Sequence, residues 1–235
     1  MSISEKLITI AENEQRVYEK GKQAEYDRFW DIFQTNGTRL SYYNAFYGSG
    51  WTDESFKPKY ELRPTNAYAM FANSKIRDLV VITEQCGIVL DFSNCTNLST
   101  TFAHCQITKI GVVDTRGEST LPQTFYNSQQ LQSIEKVILK DDGSQTFTTP
   151  FRWNYALEEI RFEGVIGDTI SFSDATKLSK ASMENTISHL SNTASGKTLT
   201  LSKTAVNNAF TGGSTGTEWL TLVATKPNWT ISLST

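Results

Sequence analysis

Four segments of this chain share one pattern, and a chain that repeats itself must fold as a stack. They are AMFANSKIRDLVVI from Ala69, TTFAHCQITKIGVVD from Thr100, QTFYNSQQLQSIEKVIL from Gln123 and TPFRWNYALEEIRFEG from Thr149. Each carries a phenylalanine (Phe71, Phe102, Phe125, Phe151), then an aliphatic five or six residues on (Ile76, Ile107, Leu131, Leu157). A second aliphatic comes after three more (Leu79, Ile110, Ile134, Ile160), then a β-rich tail. The phenylalanines recur at spacings of 31, 23 and 26. Periods of about 20–30 residues with an L-x-x-I core predict a leucine-rich-repeat solenoid. One such unit cannot bury its apolar face, whereas stacked units form a continuous column.

The hydrophobic fraction, 38%, suits a thin, elongated core rather than a spherical one. A net charge of −3 leaves no clustered basic surface, so nucleic-acid binding is not expected. The longest aliphatic run, Leu79–Ile82, is far short of a membrane span, and no membrane insertion is expected. The start, MSISEKLITIAENEQ, lacks the basic and apolar regions of a signal peptide. The sequons at Asn94, Asn97 and Asn228 then carry little weight. Three irregularly spaced cysteines suggest no disulfide framework and fit a chain made in a reducing cytoplasm.

Residues 1–35 read as a long helix. Ser2 and Glu5 form a capping box, and Ile3, Leu7, Ile10 and Val17 fall on a coiled-coil seam that Glu14 and Gly21 weaken further on. Such a helix reaches about 50 Å and cannot bury its stripe alone. The expectation is a stalk that makes a homo-oligomer, with a trimer as one arrangement; Phe29, Trp30 and Phe33 would pack onto the neighbouring cap. Residues 36–66 are turn-rich and aromatic, and read as a cap packed on the first repeat. Residues 67–178 hold the repeats, with added short strands at Gly87–Ser93 and Gly167–Ser173. Residues 179–235 read as a mixed cap: a helix at Lys180–Asn192, a strand at Lys197–Ser202, a short helix at Lys203–Phe210 and a last strand at Trp229–Leu233. The fold class is α+β repeat: a short leucine-rich-repeat solenoid with an N-terminal long helix and a mixed α/β C-terminal cap.

His104 and Cys105 lie side by side, which raises the question of a metal or thiol site. In the repeat frame they fill the slot of Asn73-Ser74, Asn127-Ser128 and Asn154-Tyr155, which are turn residues. Zinc sites take three or four Cys/His ligands at close paired spacings, and two His with three scattered Cys do not supply them. Cys105 reads as a small, half-buried turn residue. No metal and no cofactor are expected. Ser195-Gly-Lys-Thr198 has the end of a P-loop but comes after a helix and opens a strand. Ser188-His189 cannot bond as helix neighbours that point apart, so no nucleophile pair is expected. Asp141-Asp142-Gly143 lacks the later ligands of a calcium loop and reads as a hairpin-type turn between Leu139 and Phe147. No catalytic constellation emerges, and the chain is not expected to be an enzyme.

The repeat of Phe, polar turn and L-x-x-I across residues 69–163 resembles the BspA-like class of leucine-rich repeats. The block EKLITIAENEQRVYEKGKQAEYDRFW and the phrases FEGVIGDTISFSDATKL and KTLTLS also resemble leucine-rich-repeat proteins of prophages and phages of gut Firmicutes. The resemblance implies a virion or tail-associated protein and supplies no catalytic residues. Ligand recognition of a host-surface glycan or protein is then expected, with bacterial surface adhesion the alternative and polysaccharide degradation a remoter one. Arg152, Trp153 and Tyr155 are the candidate ligand-binding residues. They place a cation and two aromatics in a turn where other repeats use small polar residues, and such side chains dominate binding hot spots.

Overall fold

The computed structural model describes residues 40–42 and 44–234, so the expected stalk with Ile3, Leu7, Ile10 and Val17, and the aromatics Phe29, Trp30 and Phe33, lie outside the described residues. The elements are β1 (Leu40–Ser41), β2 (Pro64–Asn66), α1 (Leu79–Cys86), β3 (Lys109–Asp114), β4 (Thr120–Pro122), β5 (Ser133–Ile138), β6 (Thr146–Thr148) and β7 (Glu159–Glu163). They continue with β8 (Ile170–Phe172), α2 (Lys180–Ser188), β9 (Lys197–Ser202), α3 (Lys203–Ala209), a 3-10 turn (Gly213–Thr215), α4 (Thr217–Ala224) and β10 (Trp229–Ser234). Every strand pair is parallel, in the orders β1-β2, β3-β5-β7, β4-β6 and β10-β9-β8. The chain is a β-solenoid of about four turns.

The repeat pattern sets the register. Ile110, Ile134 and Ile160, the second aliphatics of three repeats, pair across β3, β5 and β7 and are buried. The phenylalanines form a column of six rather than four: Phe46, Phe71, Phe102, Phe125, Phe151 and Phe172, all buried. Their ring centroids are 5.3, 5.6, 5.4, 5.3 and 4.7 Å apart in order, with every pair stacked. Stacked pairs of this kind contribute roughly 0.5–1.5 kcal/mol each beyond area burial. The backbone runs the same ladder. Phe46, Phe71, Phe102 and Phe125 each donate their N–H to the carbonyl just before the next phenylalanine, at 2.8–3.0 Å.

Each turn of this column from Phe46 to Phe151 bends through two left-handed residues, two before and two after its phenylalanine. The first set is Asn44, Ala69, Thr100, Gln123 and Thr149; the second is Gly48, Asn73, His104, Asn127 and Trp153. This corrects the sequence alignment by one residue in the fourth repeat: Trp153, not Asn154, shares the slot of His104. Asn154 instead falls in line with Ser74, Cys105 and Ser128, all buried on the inner side of the turn. There Cys105 Sγ donates to the Phe102 carbonyl at 3.0 Å, and Ser128 N–H donates to Asn154 Oδ1 at 3.0 Å.

Three segments differ from expectation. The first repeat's tail, DLVVI, is helix α1 and not a strand. Asp78 caps it by accepting the Val81 N–H at 3.0 Å, and Gly87 ends it at φ 61°, a conformation that favours glycine. Leu79 and Ile82, three residues apart, then share the buried face. The strand expected at Gly87–Ser93 reduces to a single bridge, Leu90 with Leu62. The turn at Asp141–Gly143 is a corner and not a hairpin, because β5 and β6 belong to different sheets. That corner buries Gln145, whose amide donates to the Thr115 carbonyl at 2.8 Å, so its polar atoms are not orphaned.

Where the regular repeats end, side chains replace the missing carbonyls of a next coil. Ser182 Oγ and Asn185 Oδ1, both on α2, accept the Ile160 and Phe162 N–H groups of β7 at 3.0 and 2.6 Å. Asp174 accepts the Trp153 N–H at 2.9 Å, and Asp168 accepts the Phe147 N–H of β6 at 3.2 Å. Burial works to raise the Asp168 carboxyl pKa. The N–H donors and the Lys197 ammonium 2.8 Å away outweigh it and hold the group below its ordinary value.

Candidate ligand-binding strip on the turn column

In the turns that carry the phenylalanine column the next two residues differ in exposure: Asn73, His104 and Arg152 are exposed, Tyr126, Asn127 and Trp153 half-buried, and Ala72 and Ala103 buried. One and two residues after the phenylalanine, these are Ala72 and Asn73, Ala103 and His104, Tyr126 and Asn127, and Arg152 and Trp153. Stacking the coils therefore sets His104, Tyr126 and Trp153 in a row. The His104 and Tyr126 rings are 5.5 Å apart and the Tyr126 and Trp153 rings 5.0 Å apart. The Arg152 guanidinium lies 4.7 Å from the centre of the Trp153 ring. A polar seam borders the row. Gln129 Nε2 donates to Asn127 Oδ1, and Asn127 Nδ2 donates to His104 Nδ1, each at 2.8 Å. An amide nitrogen only donates, so His104 Nδ1 is the acceptor in this seam.

Of the residues expected at the site, Arg152 and Trp153 are brought together. Tyr155 is exposed two residues on, separated by the inward-turned Asn154, and makes no ring contact with the row among the described residues. His104 and Tyr126 were missed as members, though their signal was present. Aligning the repeats on phenylalanine puts Tyr126 level with Arg152 and His104 level with Trp153.

Trp153 has φ 63°, in a slot that the other coils fill with Gly, Asn and His. For a bulky side chain the left-handed region costs about 1–2 kcal/mol. The same left-handed turn recurs in the other coils, so this conformation belongs to the fold as a whole. The arrangement offers flat aromatic surface, a cation held over it and amide donors along one side, which is recognition chemistry. Two open polar clefts run beside the turns, one lined by Arg77, Gln106, Thr108 and Gln130 and the other including Asp53, Lys75 and Arg77.

Cys95 and Cys105 are buried, and burial pushes both thiols up, away from the reactive thiolate. Among the described residues no group of three or more His, Cys, Asp or Glu is placed to hold a metal ion. One expectation about Ser188 and His189 is corrected. Ser188 Oγ lies 3.1 Å from His189 Nδ1, because His189 is the helix cap rather than a helix residue. Both groups are also bonded to the Asn185 carbonyl, at 2.7 and 2.8 Å, which ties the hydroxyl to the helix end. Glu118, nearly buried, accepts the Leu98 N–H, and burial is the main cause that raises its pKa.

Comparison with protein-family models, with curated proteins and with solved structures returns no match to this chain. What the fold and the strip define is a class: a parallel β-solenoid that stacks its aromatic and polar side chains into a surface row. Among the described residues no helix is long and apolar enough to cross a membrane.

Proposed function

We propose that this chain is a non-enzymatic binding protein, a phage virion or tail-associated component that displays a leucine-rich-repeat solenoid of BspA-like type for host-surface recognition. The observation that carries the reading is the row His104–Tyr126–Trp153 with Arg152 over its end. Aromatic and arginine side chains contribute most to binding when they present rigid, pre-placed surface. Here neighbouring coils fix the rings, so little ordering cost remains on binding. The viral setting rests on the resemblance of the N-terminal block and of residues 162–178. In the same reading residues 1–34 bring chains together, for example as a trimer, so that several rows face one surface and weak contacts add by avidity.

The test is an array of bacterial surface polysaccharides and surface proteins probed with the full chain. The expected result is a ligand whose binding falls at least tenfold with Arg152→Ala or Trp153→Asn and is unchanged with Arg161→Ala on the exposed face of β7. A ligand bound equally by all three variants overturns the assignment.

A further inference from the structure

Asp168, Asp174, Ser182 and Asn185 close the edges at Phe147, Trp153, Ile160 and Phe162 with side chains, and β10 has no such closure among the described residues. Strand β10 is the last of its sheet, with β9 as its strand neighbour. Among the described residues no side chain bonds to the backbone of Thr230–Ser234. The strand reads WTISLS, without a charged residue or a proline, and it pairs with β9 at all six positions without a bulge. Charges, prolines and bulges are the means by which proteins blunt exposed edges, and β10 uses none of them. Its apolar side chains pack on the core but are only partly covered. Ile231 and Leu233 are half-buried, while Leu199 and Leu201, their partners one strand further in, are fully buried.

We propose that β10 pairs with β10 of a second copy, antiparallel about a two-fold axis, joining the two β8-β9-β10 sheets into one. The choice of a second copy rests on charge and pattern. A strand without charges meets itself with no like charges opposed, and it offers no charge by which a charged partner would be selected. Trp229 is buried and its N–H is held by the Lys226 carbonyl at 3.1 Å, so the free part of the strand is Thr230–Ser234. Centred on Ser232, the antiparallel pair sets Ile231 opposite Leu233 and Thr230 opposite Ser234. Apolar then meets apolar on one face and hydroxyl meets hydroxyl on the other. A two-fold contact of this kind is closed and stops at two chains.

Hydrogen–deuterium exchange on the full chain, tracked at residues 230–234 over a range of protein concentration, tests this. Protection of those amides among 230–234 that point away from β9 should rise at least tenfold from dilute to concentrated protein, and Thr230→Lys, which puts a charge on the exposed face, should abolish the rise. Ser232→Cys should cross-link to a dimer on mild oxidation where the unaltered chain does not. Amides 230–234 that exchange at one rate at every concentration overturn the proposal, even if light scattering shows association through residues 1–34. A Ser232→Cys chain that stays monomeric on oxidation overturns it as well.

Discussion

Phe102→Ala is the sharpest probe of the column. Phe102 is fully buried, stacked on Phe71 at 5.6 Å and on Phe125 at 5.4 Å, with interplanar angles of 6° and 3°. The edge of Phe92 meets it at 5.8 Å. Truncating a buried phenylalanine costs about 3–5 kcal/mol, depending on how far the site collapses. Collapse is restricted here, because Phe71, Phe102 and Phe125 are tied coil to coil by backbone bonds of 2.8–3.0 Å. The cost should therefore lie in the upper part of that range, a large share of the roughly 5–15 kcal/mol that holds a domain together. Phe102→Leu separates the contributions. It keeps most of the buried volume and loses two stacked pairs, worth together roughly 1–3 kcal/mol. Urea unfolding at constant slope gives both numbers. Coils contact only their neighbours, so a defect in the middle should also broaden the transition. A Phe102→Ala chain that loses less than about 1 kcal/mol would refute the stacked column.

Three other outcomes are expected. His104→Ala removes an exposed turn side chain and should shift stability by no more than about 0.5 kcal/mol, and elemental analysis should find no stoichiometric zinc; one zinc per chain, lost with His104, contradicts this. Glu118 has its carboxyl raised by burial, so the folded state holds this proton more tightly than the unfolded one. Its contribution to stability is then present below the ordinary glutamate value and is lost as pH rises through the folded value. Stability of the unaltered chain relative to Glu118→Gln should accordingly fall as pH rises above the ordinary glutamate value, and a difference that stays flat with pH there refutes the assignment. Light scattering should show the full chain as an oligomer and a chain beginning at Asn36 as a smaller species; a monomeric full chain at micromolar concentration rules out the stalk.

The repeat was legible because four coils use the same residue types at the same places, and burial tracks that pattern from Phe71 to Ile160. The column extends one coil further at each end, to Phe46 and Phe172, where the pattern fades. After Phe172 the first aliphatic is present as Leu178, but the second position falls at Ala181 inside α2. After Phe46 no pair of aliphatics recurs, and Phe56 packs edge-on to fill the space at 4.9 Å. The helix at Leu79–Cys86 was written in Asp78 and Gly87 rather than in its β-branched interior, so local caps outweighed propensity. The cation and tryptophan of the strip were visible as odd residues in a turn. Their partners His104 and Tyr126 were missed, because the sequence alignment puts Asn154 of the fourth repeat in the slot of His104, and only Trp153 in that slot brings the three rings level. Backbone strain at Trp153 has no counterpart in the sequence.

The row on the turns is the proposed seat of the ligand. Oxidative footprinting of the full chain bound to bacterial surface material reads this directly, side chain by side chain. The expected result is protection of His104, Tyr126 and Trp153 on binding, with Tyr47, which is 54% exposed on a turn separated from the row by Ala72 and Ala103, labelled as in the free chain. Protection confined to the face of β3, β5 and β7, with the row labelled as before, would contradict it.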